Sequence, residues 1–172
     1  DHGFSFAVRQ GGRYNPGMST STTVSAAPAD KPVAHVIVRG NAGAFLQEAT
    51  AGKYTFQVDE PTSHGGTESA PDPYDYLLAA LGGCTSMTVG WYARHNKIPL
   101  ENVKISLHHS RIHAQDCEAC ETKAGMLDRI DLDVQLTGPI TPEQHAKLME
   151  VAAKCPVHRT LKSEIDIRLH PA

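Results

Sequence analysis

The chain has 172 residues, 40% of them hydrophobic and 20% charged, enough for one domain with an ordinary core. Its 16 Lys and Arg against 19 Asp and Glu give a net charge of −3, which argues against the basic face of a nucleic-acid binder. No apolar run approaches the ~18 residues of a membrane span. The 4 cysteines are too few for a disulfide scaffold, which points to a cytoplasmic protein whose thiols stay reduced between turnovers.

Residues 1–32 read as a disordered lead. Residues 1–17 stand ahead of Met18, which looks like a native start, and read as an added or upstream segment. Ser19 to Asp30 is a Ser/Thr/Ala/Pro tract too polar to bury a core. The domain is expected over 33–172.

Val33 to Arg39 is rich in β-branched residues and ends at the turn dipeptide Gly40-Asn41. Ala44 to Glu48 and Tyr54 to Asp59 read as two more strands around Ala51-Gly52, giving an antiparallel meander. Pro61 to Asp72 is a Gly/Ser/Thr/Pro loop in which His64-Gly65-Gly66-Thr67 bends sharply. It is no phosphate cradle, because no Gly-Lys-Ser/Thr follows.

Asp72-Pro73 starts a helix over 74–96, with Asp as cap and Pro in the first turn. Leu77, Leu81, Cys84, Thr88 and Trp91 share one face at helical spacing, so Cys84 is expected to face the packing partner. Gly82-Gly83 costs about 1 kcal/mol per glycine against Ala and so implies close backbone approach or a kink. Val103 to Ile112 and Met126 to Leu136 alternate as strands around a polar interruption over 114–125. Thr141-Pro142-Glu143-Gln144 opens a second helix running to about Lys154. Pro156 biases Cys155 out of helical geometry. Glu164 to Leu169 reads as a closing strand. The order is β-β-β-α-β-β-α-β, an α+β domain.

Four cysteines and two acids carry the candidate chemistry. Cys84 is either a small buried hydrophobe or a thiolate nucleophile supported by a cation or helix amides. Cys155 lies at a helix end beside His158 and Arg159, which make its field positive. The same two residues would equally suit the negative end of the preceding helix. Cys117-Glu118-Ala119-Cys120 is a C-x-x-C: half a zinc site completed by Cys155 and His158 with His113 in reserve, a dithiol that reduces another disulfide, or two incidental thiols. Glu68 and Asp75 are acids ahead of Cys84, and Asp75 in a first helical turn is favourable on dipole grounds alone.

Three segments together are similar to one family. Asp72 to Met87 resembles the helix that carries the reactive cysteine in the OsmC/Ohr proteins, the osmotically inducible and organic-hydroperoxide-resistance family. Lys154-Cys155-Pro156-Val157-His158-Arg159-Thr160-Leu161 is similar to the second-cysteine segment of one OsmC-like branch, and Asp116 to Thr122 to an insertion in that branch. The resemblance spans about 33–170. It implies an intertwined homodimer, with two central helices wrapped by antiparallel sheets from both subunits. It also implies a cysteine peroxidase of oxidative-stress defence that acts on organic hydroperoxides. Cys84 would be the attacking thiol and Cys155 the resolving one; Arg39 would hold the thiolate and Asp75 would be the carboxylate before the cysteine helix. No cofactor is implied beyond a dithiol reductant as co-substrate. The alternatives are a non-peroxidatic OsmC-like dimer binding zinc or a small apolar ligand, and a C-x-x-C redox or sensor protein.

Overall fold

A computed structural model describes residues 35–171, so the expected lead over 1–32 lies outside the described residues. The first sheet is an antiparallel meander of β1 (Val36–Gly40), β2 (Gln47–Ala51) and β3 (Tyr54–Val58), in the order β1-β2-β3. Ala49 is paired with Val38 on one side and Phe56 on the other, and is buried. The second strand begins three residues later than Ala44. Asn41 captures the chain first: its Oδ1 accepts from Gly43 N–H at 2.8 Å and its carbonyl from Ala44 N–H at 3.0 Å, an Asn-centred turn that delays the ladder.

The loop from Asp59 to Pro71 leads into α1 (Pro73–His95). Gly65 bends it at φ +92°, a left-handed conformation that favours glycine. α1 opens with a reciprocal cap: Asp75 N–H donates to Asp72 Oδ1 at 2.8 Å, and Asp72 N–H donates to Asp75 Oδ2 at 3.3 Å. Its buried residues are Leu81, Gly82, Thr85, Val89 and Ala93. The expected stripe through Leu77, Cys84 and Trp91 is therefore displaced by roughly a third of a turn, at about 100° per residue. Small residues decide this, because they let the helix lie close on the sheet. A Cβ on Gly82 would come within 2.7 Å of Leu107 Cδ1 on the next strand. Trp91 instead stands 59% exposed, its ring stacked on His95 at 5.2 Å.

β4 (Asn102–His113) and β5 (Met126–Thr137) form a long antiparallel hairpin, in register from Asn102↔Thr137 to His113↔Met126. Val103, Ile105 and Leu107 on β4, and Ile130, Leu132, Val134 and Leu136 on β5, are the half-buried positions of the expected alternation. α2 (Pro142–Ala152) carries the expected Thr141–Gln144 capping box. The core joins Val89 and Ala93 of α1 to Leu148 and Ala152 of α2, closed by Val103, Leu136 and Ile140.

Two details of the expected α+β order differ. α2 stops at Ala152, and a further helix, α3 (Pro156–Leu161), follows with Cys155 as its N-cap. Pro156 ends one helix and starts the next, since a residue lacking N–H costs nothing at a first helical position. Glu164 to Leu169 forms neither helix nor strand within the chain. Ile165, Ile167 and Leu169 are 51%, 81% and 95% exposed, with no neighbouring strand among the described residues to supply a ladder. Among the described residues no helix is long and apolar enough to cross a membrane.

Candidate functional site

The two free thiols meet the same turn of α1. Cys84 is half-buried on the helix. Thr88 Oγ1 donates to its carbonyl oxygen at 2.8 Å, so the local backbone acceptor is already shared. Cys155 is fully buried. Its backbone, at φ −62° and ψ 145°, has the extended geometry that a following proline imposes. Its Sγ accepts two hydrogen bonds at 3.2 Å, one from His158 N–H and one from Thr85 Oγ1. Thr85 follows Cys84 directly, so the second cysteine is held against the turn that carries the first. The capping role has an elementary cause. The first amides of α3 have no intrahelical acceptor, and the sulfur takes one of them.

His158 and Arg159 lie in the last turn of α3, not at the end of α2. The reading in which they answer the dipole of the preceding helix therefore falls, because a new helix begins between them and α2. A groove of about 330 Å³ opens beside this turn, lined by Leu81, Ile130, Leu132 and Leu161 with Asp128, His158 and Lys162 at its polar positions. It is mainly aliphatic. At its edge, His109 stacks on Tyr74 at 4.5 Å and makes a 3.0 Å ring-nitrogen contact with Asp128 Oδ1.

The other expected site residues are placed as follows. Arg39 is exposed on β1, opposite Glu48 in the ladder, and makes no ion pair among the described residues. Asp75 is exposed and its carboxylate closes the α1 cap. Glu68 accepts from Thr62 Oγ1 at 3.2 Å in the preceding loop. Cys117 and Cys120 are bonded to each other. Among the described residues no group of three or more His, Cys, Asp or Glu is placed to hold a metal ion. Cys117, Cys120, Cys155 and His158, the expected zinc set, do not come together as one group. Cys117 and Cys120 pair with each other, and Cys155 Sγ instead caps α3 through His158 N–H.

Two polar residues matter here that the sequence alone does not mark. Thr85 had no signal beyond its place after Cys84. Asp59 is buried at 1% exposure. Its Oδ2 accepts from Thr67 Oγ1 at 2.6 Å, Thr67 N–H at 3.1 Å, Ser69 N–H at 3.1 Å and Ser69 Oγ at 3.0 Å, while its Oδ1 has no partner. The Thr67 hydroxyl first, and then the Ser69 and Glu60 amides and the Ser69 hydroxyl, hold this carboxyl far below the usual carboxylate range against the opposing effect of burial. Asp59 thus pins the loop that delivers the chain to the α1 cap.

The family model described as OsmC-like protein matches residues 66–170. Among solved structures, the chain is similar to an OsmC-like protein from Mycoplasma pneumoniae, with 19% identity over 77% of this chain and 89% of that one, TM-score 0.60. It is similar to an organic hydroperoxide resistance protein OsmC from Legionella pneumophila, with 22% identity, coverage of 79% and 95%, and TM-score 0.56. It is also similar to the organic hydroperoxide resistance protein OhrB of Bacillus subtilis, with 19% identity, coverage of 77% and 93%, and TM-score 0.53. No protein of curated function matches the chain.

Proposed function

The chain belongs to the OsmC-like protein family, and from that premise we propose that it is a thiol-dependent peroxidase reducing organic hydroperoxides. The observation that carries the reading is the contact between Cys155 Sγ and Thr85, the neighbour of Cys84. A resolving thiol must lie beside the thiol that is oxidised, and two cysteines far apart in sequence converge here on one helical turn.

The proposed chemistry has three balanced steps. The Cys84 thiolate attacks one oxygen of the O–O bond; that bond breaks, Cys84 becomes a sulfenic acid, and the alkoxide leaves to be protonated as an alcohol. The Cys155 thiol then displaces hydroxide from the sulfenic sulfur, forming a Cys84–Cys155 disulfide and water. An external dithiol reduces that disulfide by thiolate exchange and is itself oxidised to a disulfide. No other cofactor enters. Leu81, one turn before Cys84 on α1, lines a groove with Ile130, Leu132 and Leu161 beside Asp128, His158 and Lys162. An organic peroxide whose carbon skeleton reaches it from Cys84 would gain about 25 cal/mol per Å² of apolar surface buried, which hydrogen peroxide cannot.

In this reading Arg39 supplies the cation for the thiolate and Asp75 orients it. Asp75 can take that task by releasing the longer of its two cap contacts, the 3.3 Å bond from Asp72 N–H. The reading includes a homodimer. It is supported by the exposure of Met87 at 69% and Trp91 at 59% along α1, and of Ile167 and Leu169 near the C-terminus at 81% and 95%, an apolar surface that association would cover.

Peptide mass spectrometry of the reduced protein after one equivalent of cumene hydroperoxide tests the proposal. A stoichiometric Cys84–Cys155 disulfide is expected. A chain in which Cys84 and Cys155 both remain thiols overturns it.

A further inference from the structure

We infer that the Cys117–Cys120 bridge is a second thiol–disulfide exchange site, which trades two electrons with an external dithiol independently of Cys84 and Cys155. Both cysteines are half-buried rather than enclosed, and both line a cavity of about 360 Å³ with Ile112, Ala119, Leu127 and Arg129. A thiolate entering that cavity has access to the bridge. Aliphatic walls suit the carbon skeleton of a small dithiol, and the rim carries both signs of charge, with Asp128 beside Arg129.

The surroundings argue against a merely structural staple. The bridge spans a sequence separation of 3, so it removes little loop entropy from the unfolded chain. The hairpin that it decorates is already closed without it. The β4–β5 ladder is continuous to His113↔Met126, and Ala114 N–H donates to the Gly125 carbonyl at 2.8 Å beyond the last pair. Cys117 N–H is separately satisfied by the Ala114 carbonyl at 3.2 Å. A cation is built into the same loop. Lys123 Nζ donates to the carbonyls of Cys117 and Glu118 at 3.3 and 3.2 Å, which keeps an ammonium by the loop when a thiolate is released. The acids Asp116 and Glu118 also line the cavity.

The exchange balances without any further reactant. A thiolate of the dithiol attacks one bridge sulfur, the Cys117–Cys120 bond breaks, and a mixed disulfide forms. The second thiol of the dithiol then displaces the protein sulfur. The dithiol leaves as a disulfide, and Cys117 and Cys120 gain two electrons and two protons. The reverse sequence oxidises them.

The test uses the chain of 172 residues unaltered. The protein is equilibrated in a series from fully oxidised to fully reduced glutathione, and separately with one equivalent of dithiothreitol. Free thiols are then trapped by alkylation and the protein is digested with trypsin. Cleavage after Arg111 and Lys123 isolates both cysteines on one peptide, whereas Cys84 and Cys155 fall on others. The expected result is a reversible switch of this peptide between the bridged form and one carrying two alkyl groups. The midpoint should fall inside the glutathione series, and one equivalent of dithiothreitol should convert the peptide. A peptide that stays bridged throughout, or stays doubly alkylated throughout, overturns the inference. Because the peptides of Cys84 and Cys155 are scored separately, failure here is distinct from failure of the peroxidase reading.

Discussion

Thr85 Oγ1 donates to Cys155 Sγ at 3.2 Å across 70 positions of sequence, inside a fully buried contact. This bond fixes α3 to α1 beside Cys84. Thr85→Val keeps the branched shape but leaves the sulfur with one donor, His158 N–H. A loss of about 1 kcal/mol in stability is expected, read as a lower urea midpoint with an unchanged slope. If Thr85 also positions Cys155, the variant forms the Cys84–Cys155 disulfide more slowly after hydroperoxide addition.

The peroxidase reading separates the two thiols. Cys84→Ser is expected to abolish hydroperoxide consumption. Cys155→Ser is expected to permit one oxidation and then stall, with Cys84 gaining one oxygen as the sulfenic acid and further oxygens as peroxide accumulates. Intact-mass spectra of the two variants decide the order. Loss of activity in Cys155→Ser together with retained activity in Cys84→Ser would reverse the assignment.

Asp59 carries a pH-dependent part of stability. Its carboxyl is depressed in the folded chain, chiefly by the Thr67 hydroxyl, below the ordinary value of 3.8. The stabilisation is therefore fully present above that value and is lost as pH falls below it toward the folded-state pKa. Asp59→Asn is expected to lower the urea midpoint at pH 7 and to differ less from the parent near pH 3. An equal gap at both values would show that shape, not charge, matters at this position.

Gly66 sits in the same loop with no room for a side chain. A Cβ there would lie 1.9 Å from the Glu60 carbonyl oxygen, a backbone atom that cannot rotate away. Gly66→Ala is expected to cost at least about 1–3 kcal/mol, the range of overpacked sites, visible as a lower melting temperature. Gly52→Ala would be a poor control, because its φ of +60° adds strain of its own.

The proposed dimer predicts a mass change. Trp91→Glu places a charge on the exposed apolar side of α1, where burial against a second copy would leave it unpaired. Sedimentation of the parent chain at twice the mass of the variant is expected. A parent chain that sediments at its single-chain mass would remove the dimer from the reading.

Local signals carried far in this chain. Asp72-Pro73 and Thr141-Pro142 marked two helix starts correctly because capping chemistry acts within four residues. The alternation of Val103, Ile105 and Leu107 against Ile130, Leu132, Val134 and Leu136 marked a half-buried hairpin because strand side chains repeat every two positions. The motifs around Cys84 and Cys155 pointed to the family that the model over 66–170 establishes.

Other features depended on distant partners. Nothing local told α1 which face to bury; Gly82 against Leu107 did, through a contact visible only when helix and strand are packed. The break at Pro156 was legible, but a proline serves equally as the end of one helix or the start of another. Only the pairing of Cys155 Sγ with His158 N–H and Thr85 Oγ1 made it a start. On spacing alone Cys117 and Cys120 are compatible with half a zinc site, a reducing dithiol or two incidental thiols, and the hairpin that carries them turns the two sulfurs toward each other. By itself the sequence determined the starts of α1 and α2, the alternation of β4 and β5, and the family, because each rests on neighbours a few residues apart. The tertiary structure decided which face is buried and what each cysteine touches, because those contacts join residues that only packing brings together.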